Sequence, residues 1–99
     1  MLNINKHAEN DLLIMELEGR LDTSTAPQLE SSINESIDGV HELIIDCEKL
    51  EYISSAGLRV LLSTQKIMTR QGSLKLIHVG ALITEIFEVT GFSDILTIE

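Results

Sequence analysis

The sequence predicts an α/β domain built on a mixed sheet of four or five strands with three main helices. Strand-like and helix-like segments alternate in the order β-β-α-β-α-β-α-β, which favours parallel strands joined by helical crossovers. The 99 residues are 43% hydrophobic, and they contain no linker, repeat or low-complexity segment. We therefore expect residues 1–99 to form a single domain with one mainly aliphatic core.

The chain begins with two strand-like segments. Residues 2–7 and 12–17 predict an antiparallel pair with a turn at residues 9–11. Three apolar residues of the second strand share one face: Leu13, Met15 and Leu17. Glu16 and Glu18 fall on the opposite face, which we expect to be at least partly hydrated.

The first helix is predicted from its cap residues and its apolar spacing. Residues 22–25 offer cap side chains, and Pro27 suits a first helical turn. Four apolar residues then recur at helical spacing: Ala26, Leu29, Ile33 and Ile37. Gly39 is a natural left-handed stop, so we expect an amphipathic helix that ends there.

The middle of the chain predicts a central strand followed by a second helix. Residues 43–47 read as a strand, and its first three residues, 43–45, form a continuous apolar run typical of a strand that is covered on both sides. A short polar link leads to a helix that starts at Ser55 and closes at residues 71–72. Its predicted core residues are Ala56, Val60, Leu61, Ile67 and Met68.

The last third predicts one more strand, helix and strand. Residues 73–79 read as a strand, and Gly91 ends the helix that follows. The apolar stripe of that helix comprises Leu82, Ile83, Ile86 and Phe87. Residues 95–98 are predicted to form the final strand.

Ser54 and Ser55 stand where the second helix begins. The first N–H groups of a helix lack intrahelical partners and carry partial positive charge, so a serine there can cap the helix or hold a phosphate favourably. Gly57 lowers helix propensity, and its missing side chain would let a partner approach the serines closely. The alternative is purely structural, with Ser55 as a cap and Gly57 as a packing residue.

Three segments together resemble the STAS domain, the fold of bacterial anti-sigma-factor antagonists. They are residues 50–62, 18–29 and 83–92, and they follow that family's order and spacing through nearly the whole chain. The resemblance implies a sheet with helices packed mainly on one face. It also implies that Ser55 is phosphorylated and that Asp22 lies beside it. Many members carry an aspartate just before the phosphorylated serine, whereas this chain has Ser54.

The resemblance implies a phosphorylation-controlled binding protein rather than an enzyme. Unphosphorylated, the chain would bind a GHKL-type anti-sigma serine/threonine kinase; phosphorylation of Ser55 would release it, and a PP2C-like phosphatase would reverse the change. We expect the free protein to be a monomer. The expected partner-binding residues are Asp22, Thr23, Ser54, Ala56, Gly57 and Arg59.

The net charge of −9 argues against nucleic-acid binding. Residues 1–51 hold twelve acidic and three basic residues, whereas residues 52–99 hold four of each. This asymmetry suggests a basic partner surface, although ordinary solubility would also explain it. No stretch approaches the roughly 18 apolar residues of a membrane span, and no signal peptide is evident, so we expect a cytoplasmic protein without membrane insertion.

Other chemistries lack their motifs. Ser54–Gly57 is not a nucleophile elbow, and the three histidines show no triad order. No phosphate-binding glycine loop is present, so we expect no cofactor. Asp46, Glu48 and Glu51 could hold Mg²⁺, but a solvated strand end is favoured and we predict no metal site. Cys47 is expected to be a buried, reduced thiol.

Three alternative functions remain open at this point. The same fold could serve as a scaffold of the stressosome type or act in a non-sigma pathway such as secretion. It could be a soluble subunit of a lipid-transport complex. It could also be a small phosphocarrier, in which case Cys47 or His78 would carry a labile phosphate.

Overall fold

A computed structural model describes all residues 1–99 and contains one four-stranded mixed sheet. Its strands are β1 (Leu2–Glu9), β2 (Leu12–Leu21), β3 (Glu42–Ile53) and β4 (Ser73–Ile77), side by side in that order. β1 is antiparallel to β2, while β2, β3 and β4 are parallel. The helices are α1 (Ala26–Ser36), α2 (Ser55–Gln71) and α3 (Ala81–Thr90). The predicted α/β class and mixed sheet are confirmed.

The core lies on one face of the sheet. Leu13, Leu43 and Leu74 form one buried row across three strands, and Met15, Ile45 and Leu76 form the next. The buried residues of all three helices belong to this same cluster. The opposite face carries the row Ile14, Ile44 and Lys75, which is only partly buried. The expectation that β3 is covered on both sides is therefore wrong, because the helices pack mainly against one face.

β3 is longer than the sequence predicted. It continues without a break through the expected polar link to Ile53, opposite the second half of β2. The register between the two strands shifts near Glu16–Glu18, where Glu48 and Lys49 of β3 are exposed. This irregularity accommodates Glu48 and Lys49 within β3, so the strand ends at Ile53, immediately before Ser54 and α2.

The predicted fifth strand is reduced to a single bridge. Residues Phe92–Asp94 form a 3₁₀ turn, and Ile98 then pairs with Leu76 at the β4 edge. Two backbone hydrogen bonds hold this bridge, Leu76 N–H to the Thr97 carbonyl at 2.9 Å and Glu99 N–H to the Leu76 carbonyl at 2.8 Å. The prediction of a strand over residues 95–98 is wrong in extent, because the N–H groups of Ile95 and Leu96 donate to the Phe92 carbonyl and so continue the turn.

The helices follow their predicted stripes with specific exceptions. In α3, the predicted stripe residue Leu82 is 55% exposed, because it lies about 100° around the helix from the buried Ile83. The four α1 positions are buried, although Ile37 lies just beyond the helix end. In α2, Ile67 is 36% exposed, because it sits at the margin of the buried face, and Leu58 and Thr64 are buried instead. Thr64 tolerates burial because its hydroxyl donates to the Val60 carbonyl at 2.8 Å. None of the helices combines the length and the apolar character that crossing a membrane requires.

Candidate functional site

The candidate site lies at the edge where β2 and β3 end together. Leu21 is opposite Ile53, and the N–H of Ser54 donates to the Leu21 carbonyl at 2.8 Å. Asp22, which follows β2, and the pair Ser54 and Ser55, which follows β3, are therefore brought to the same edge of the sheet. The predicted proximity of these two chain segments comes from this register, although no hydrogen bond joins their side chains.

Ser54 and Ser55 have different surroundings. Ser54 has an extended backbone (φ −98°, ψ 175°) and is the N-cap of α2, with its hydroxyl accepting from the Gly57 N–H at 3.4 Å. Ser55 is the first helical residue, is exposed, and its hydroxyl makes no hydrogen bond within the protein. The structural alternative that Ser55 caps the helix is therefore wrong. The Ser55 hydroxyl is available at a helix N-terminus that favours negative charge.

Gly57 faces the core rather than the surface. A side-chain β-carbon at this position would lie 2.6 Å from Leu21 Cγ and 2.9 Å from Ile53 Cγ1. The residue is buried, so the expectation that Gly57 opens the surface beside the serines is wrong. Its missing side chain allows the first turn of α2 to pack closely against the ends of β2 and β3.

Asp22 organises the turn between β2 and α1. Its Oδ1 accepts hydrogen bonds from the Ser24 hydroxyl at 2.7 Å, the Ser24 N–H at 3.0 Å and the Thr25 N–H at 3.1 Å. The Ser24 hydroxyl and these N–H groups hold the pKa of Asp22 below its usual range, although partial loss of hydration opposes them. The N-cap position of α1 belongs to Thr25, whose hydroxyl donates to the Arg20 carbonyl instead. Asp22 thus stabilises the entry turn and stays ionised.

An arginine and a tyrosine complete this edge, and neither was predicted. The Arg20 guanidinium lies 4.5 Å from the centroid of the Tyr52 ring, and its Nε is 3.9 Å from Asp22 Oδ2. The two residues are direct neighbours across β2 and β3. The register of β2 and β3 would have predicted this contact. The sequence did not reveal that register, because residues 48–51 were predicted to be a polar link rather than part of the strand.

A groove between α1 and α2 opens next to the serines. Its volume is about 220 Å³, and it includes three of the predicted partner-binding residues, Thr23, Ala56 and Arg59. The remaining lining residues are Ala26, Pro27, Glu30, Val60 and Ser63. The structure thus collects those three residues into one concave surface, whereas Asp22, Ser54 and Ser55 belong to the adjoining edge of the sheet.

The outer face of α2 is basic. The helix contains Arg59, Lys66 and Arg70 and no acidic residue, and all three side chains are exposed. At about 100° per residue, these positions and Ser55 point to the same side of the helix. The exposed face of α2 is therefore positively charged, although the net charge of the protein is −9.

A possible metal-ligand cluster lies away from this edge. The ligand atoms of Asp46, Glu48 and His78 all lie within 4.8 Å of one another, whereas the predicted third member, Glu51, is not part of the group. Asp46 Oδ1 already accepts the Glu48 N–H and lies 3.0 Å from His78 Nδ1. These contacts account for the cluster as a hydrogen-bonded group in the middle of β3, where the neighbouring strand β4 ends, so the expected strand end at residues 46–51 is wrong because β3 continues to Ile53.

Cys47 is inaccessible to a partner. Its side chain is buried, and this burial, together with the neighbouring Asp46 charge, raises the pKa of the thiol to about 12. A buried thiol that remains protonated is a poor phosphate acceptor. The expected burial of this thiol is confirmed, and the cysteine form of the phosphocarrier alternative loses its candidate residue.

Comparison with known proteins gives consistent matches. The STAS domain family model matches residues 3–99. The anti-sigma-B factor antagonist of Bacillus subtilis is 33% identical over 101 aligned residues, covering 98% of this chain and 92% of that protein. BtrV of Bordetella bronchiseptica, named provisionally as an anti-sigma factor antagonist, is 38% identical over 86 residues, covering 85% and 74%. The crystal structure of an anti-sigma factor antagonist from Mycobacterium paratuberculosis has a TM-score of 0.90 at 21% identity, covering 99% and 85%.

Proposed function

This chain belongs to the STAS domain family, and we propose that it is an anti-sigma-factor antagonist controlled by phosphorylation of Ser55. The observation that carries this proposal is the Ser55 hydroxyl, which is exposed and unbonded on the first residue of α2. Support for the antagonist class comes from relatives of that name at 33% and 38% identity. We propose that the chain acts in the cytoplasm, where ATP is available to its partner.

The docking surface is the strand edge with Ser55, the groove between α1 and α2, and the outer face of α2. Arg59 and Thr23 line the groove, and Asp22 lies on the edge beside it. Because α2 carries only positive charges, the part of the partner that covers it should be acidic. Asp22 on the strand edge and Glu30 in the groove would meet basic groups of the same partner.

Phosphorylation would reverse the local charge at this surface. A phosphoserine brings about −1.5 to −2 charge and three acceptor oxygens. The free N–H groups at the start of α2 would stabilise it, and Arg59 lies one turn further along the helix, at the spacing that allows a side-chain pair. The phosphate would thus occupy Arg59 and repel an acidic partner surface without unfolding the domain.

The enzymes of the cycle would be partners of this chain. The sequence has no nucleotide-binding glycine loop. The partner, a GHKL-type anti-sigma serine/threonine kinase, would therefore bind ATP and transfer its γ-phosphate to the Ser55 hydroxyl, releasing ADP. Unphosphorylated, the chain would sequester that kinase and so free its sigma factor. A PP2C-like phosphatase would remove the phosphate from the exposed Ser55 and restore binding.

The phosphorylated residue can be identified with the cognate kinase and ATP. Mass spectrometry should show one added phosphate on Ser55, and Ser55→Ala should abolish the mass gain. Ser54→Ala is the matched control, because it removes the neighbouring hydroxyl; it should retain phosphorylation while losing about 1 kcal/mol of stability from the lost cap. Phosphate on Ser54, or undiminished labelling of Ser55→Ala, would contradict the assignment.

The binding consequence can be measured separately. Ser55→Asp should weaken kinase binding by adding charge at the docking surface, whereas Ser55→Ala should retain binding. If the kinase binds but labels no serine, the chain is a STAS scaffold without the switch. A phosphate that is lost in acid would instead indicate phosphohistidine and favour the phosphocarrier alternative.

A further inference from the structure

α3 has apolar residues on two sides, and the core uses only one of them. Ile83 and Phe87 face inward and are 1% and 0% exposed. Leu82 and Val89 are 55% and 81% exposed, and Ile86 lies half-buried between them. Residues 82, 86 and 89 have the i, i+4, i+7 spacing that aligns side chains along one side of a helix. They form an outward apolar stripe, which we call the α3 stripe.

The α3 stripe borders a shallow groove of about 230 Å³. Glu85 and Thr90 complete its lining. Single exposed apolar residues are ordinary on protein surfaces, but a stripe over two helical turns beside a groove is the arrangement that receives an amphipathic helix. Because Val89 is 81% exposed and Leu82 is more than half exposed, the fold gains little from the apolar character of Val89 and only part of that of Leu82.

The charges around the α3 stripe select among possible occupants. Beyond Lys75 the chain contains no lysine or arginine but four acidic residues: Glu85, Glu88, Asp94 and Glu99. Glu85 and Glu88 are exposed on α3 itself. A second copy of the chain would bring acidic groups against acidic groups, and an anionic lipid surface would be repelled. The complementary occupant is apolar in the centre and basic at its margins.

We propose that the α3 stripe is a docking site for an amphipathic helix of a partner protein, with lysine or arginine flanking its apolar face. Leu82, Ile86 and Val89 would contact that face, and Glu85 and Glu88 would pair with the basic flank. This site shares no lining residue with the groove between α1 and α2. A second partner can therefore bind while the Ser55 surface is occupied, and the proposal does not depend on the anti-sigma assignment.

Two synthetic helical peptides test the site on the full chain. One carries leucines at i, i+4 and i+7 with flanking lysines, and the other replaces the lysines by glutamates. Each is titrated into ¹⁵N-labelled protein at physiological ionic strength, and amide shifts are followed by NMR. The basic peptide should shift the amides of residues 81–90, and the acidic peptide should not. Leu82→Ser and Val89→Ser should each weaken binding about tenfold.

Matched controls keep this test specific. Ile67→Ser removes a partly exposed apolar residue from α2 instead, and it should leave peptide binding unchanged. Thermal unfolding should show that the exposed Leu82→Ser and Val89→Ser variants remain folded. The proposal is overturned if shifts centre on another surface, if the acidic peptide binds equally, or if the two variants have no effect. Self-association of the free chain through α3, or Val89-dependent binding to phosphatidylglycerol vesicles, would also overturn it.

Discussion

Ser54 and Ser55 carry identical side chains, but their places at the start of α2 give those side chains different roles. The Ser54 N–H completes the pairing of β3 with the Leu21 carbonyl, which holds Ser54 extended and makes it the cap. Ser55 is left as the first helical residue, with an exposed hydroxyl. Either serine is chemically suited to capping. The sequence alone could not choose between them, because the choice depends on where β3 ends.

Gly57→Ala should destabilise the protein, even though alanine favours helices by about 1 kcal/mol over glycine. The added β-carbon would meet Leu21 Cγ at 2.6 Å and Ile53 Cγ1 at 2.9 Å, and both atoms are held within the core. Overpacking of this kind typically costs about 1–3 kcal/mol. We expect a lower midpoint in urea unfolding, and a larger loss for Gly57→Arg.

Gly80→Ala is the control for this prediction. Gly80 precedes α3 with an ordinary φ of −72°, and a β-carbon there would have no neighbour within 4 Å. Because Gly80 is the N-cap of α3, where glycine is preferred over alanine, this change should lower the free energy of unfolding by only about 0.5–1 kcal/mol, without any clash. If Gly57→Ala proves as stable as Gly80→Ala, the first turn of α2 is packed less tightly than the structure indicates.

Cys47 should make stability fall at high pH. Burial raises the pKa of its thiol from 9.0 to about 12, so the unfolded chain loses this proton at lower pH than the folded chain. This thiol should leave the free energy of unfolding unchanged below pH 9. Between about pH 9 and 12 the free energy of unfolding should fall, by up to about 1.4 kcal/mol per pH unit. Urea unfolding of the wild type and Cys47→Ala across this range isolates the effect. Parallel pH profiles of the two proteins would refute it.

At the scale of elements, periodicity predicted the helices better than the strands. The positions of α1, α2 and α3 follow from apolar spacing and from glycines such as Gly91, which adopts a left-handed φ of 82° at the end of α3. The second half of β3 was missed because Glu48 and Lys49 look like a loop, and only the pairing of Lys49 with Glu18 and of the residues after it with β2 keeps this stretch in the sheet. The groove between α1 and α2 depends on helix packing, which no local pattern specifies.

The end of α2 is tied to the end of α1 by Gln71. Its amide Nε2 donates to the carbonyls of Ile37 at 2.9 Å and Val40 at 2.6 Å, in a partly buried setting. Gln71→Met keeps the length of the side chain but leaves both carbonyls without this donor. We expect a loss of about 1–3 kcal/mol in urea unfolding.

Gln65→Met on the same helix is the matched control. The Gln65 amide donates only to the exposed Thr69 hydroxyl, and its buried Oε1 has no hydrogen-bond partner. Removing an unpartnered polar atom should leave stability unchanged or slightly raise it. A similar loss in both variants would show that the bonds from Gln71 contribute no more than the surface contact.

At the scale of the whole molecule, the two signs of charge are segregated. The chain carries −9 overall, yet α2 carries three positive charges on one side. In residues 76–99 every side chain that is charged at pH 7 is acidic, and His78 is the only basic residue type. The outer face of α2 is therefore basic, whereas the charged residues of α3 are acidic. Partners of opposite charge would be steered to different surfaces of the same small domain.

Charge reversal on α2 should slow association with the proposed anti-sigma kinase. Lys66→Glu and Arg70→Glu lie on the same side of α2 as Ser55 but away from the groove lining, so they change the field without removing a groove contact. We expect association rate constants to fall about tenfold at low salt, with small changes in dissociation. The difference should shrink as salt shortens the Debye length below about 8 Å.

Lys75→Glu makes the same charge change on the open face of the sheet, where Lys75 lies 3.3 Å from Glu99. Stopped-flow measurements should show little effect of Lys75→Glu, whereas an equal slowing would mean that net charge, rather than the basic face of α2, controls the encounter.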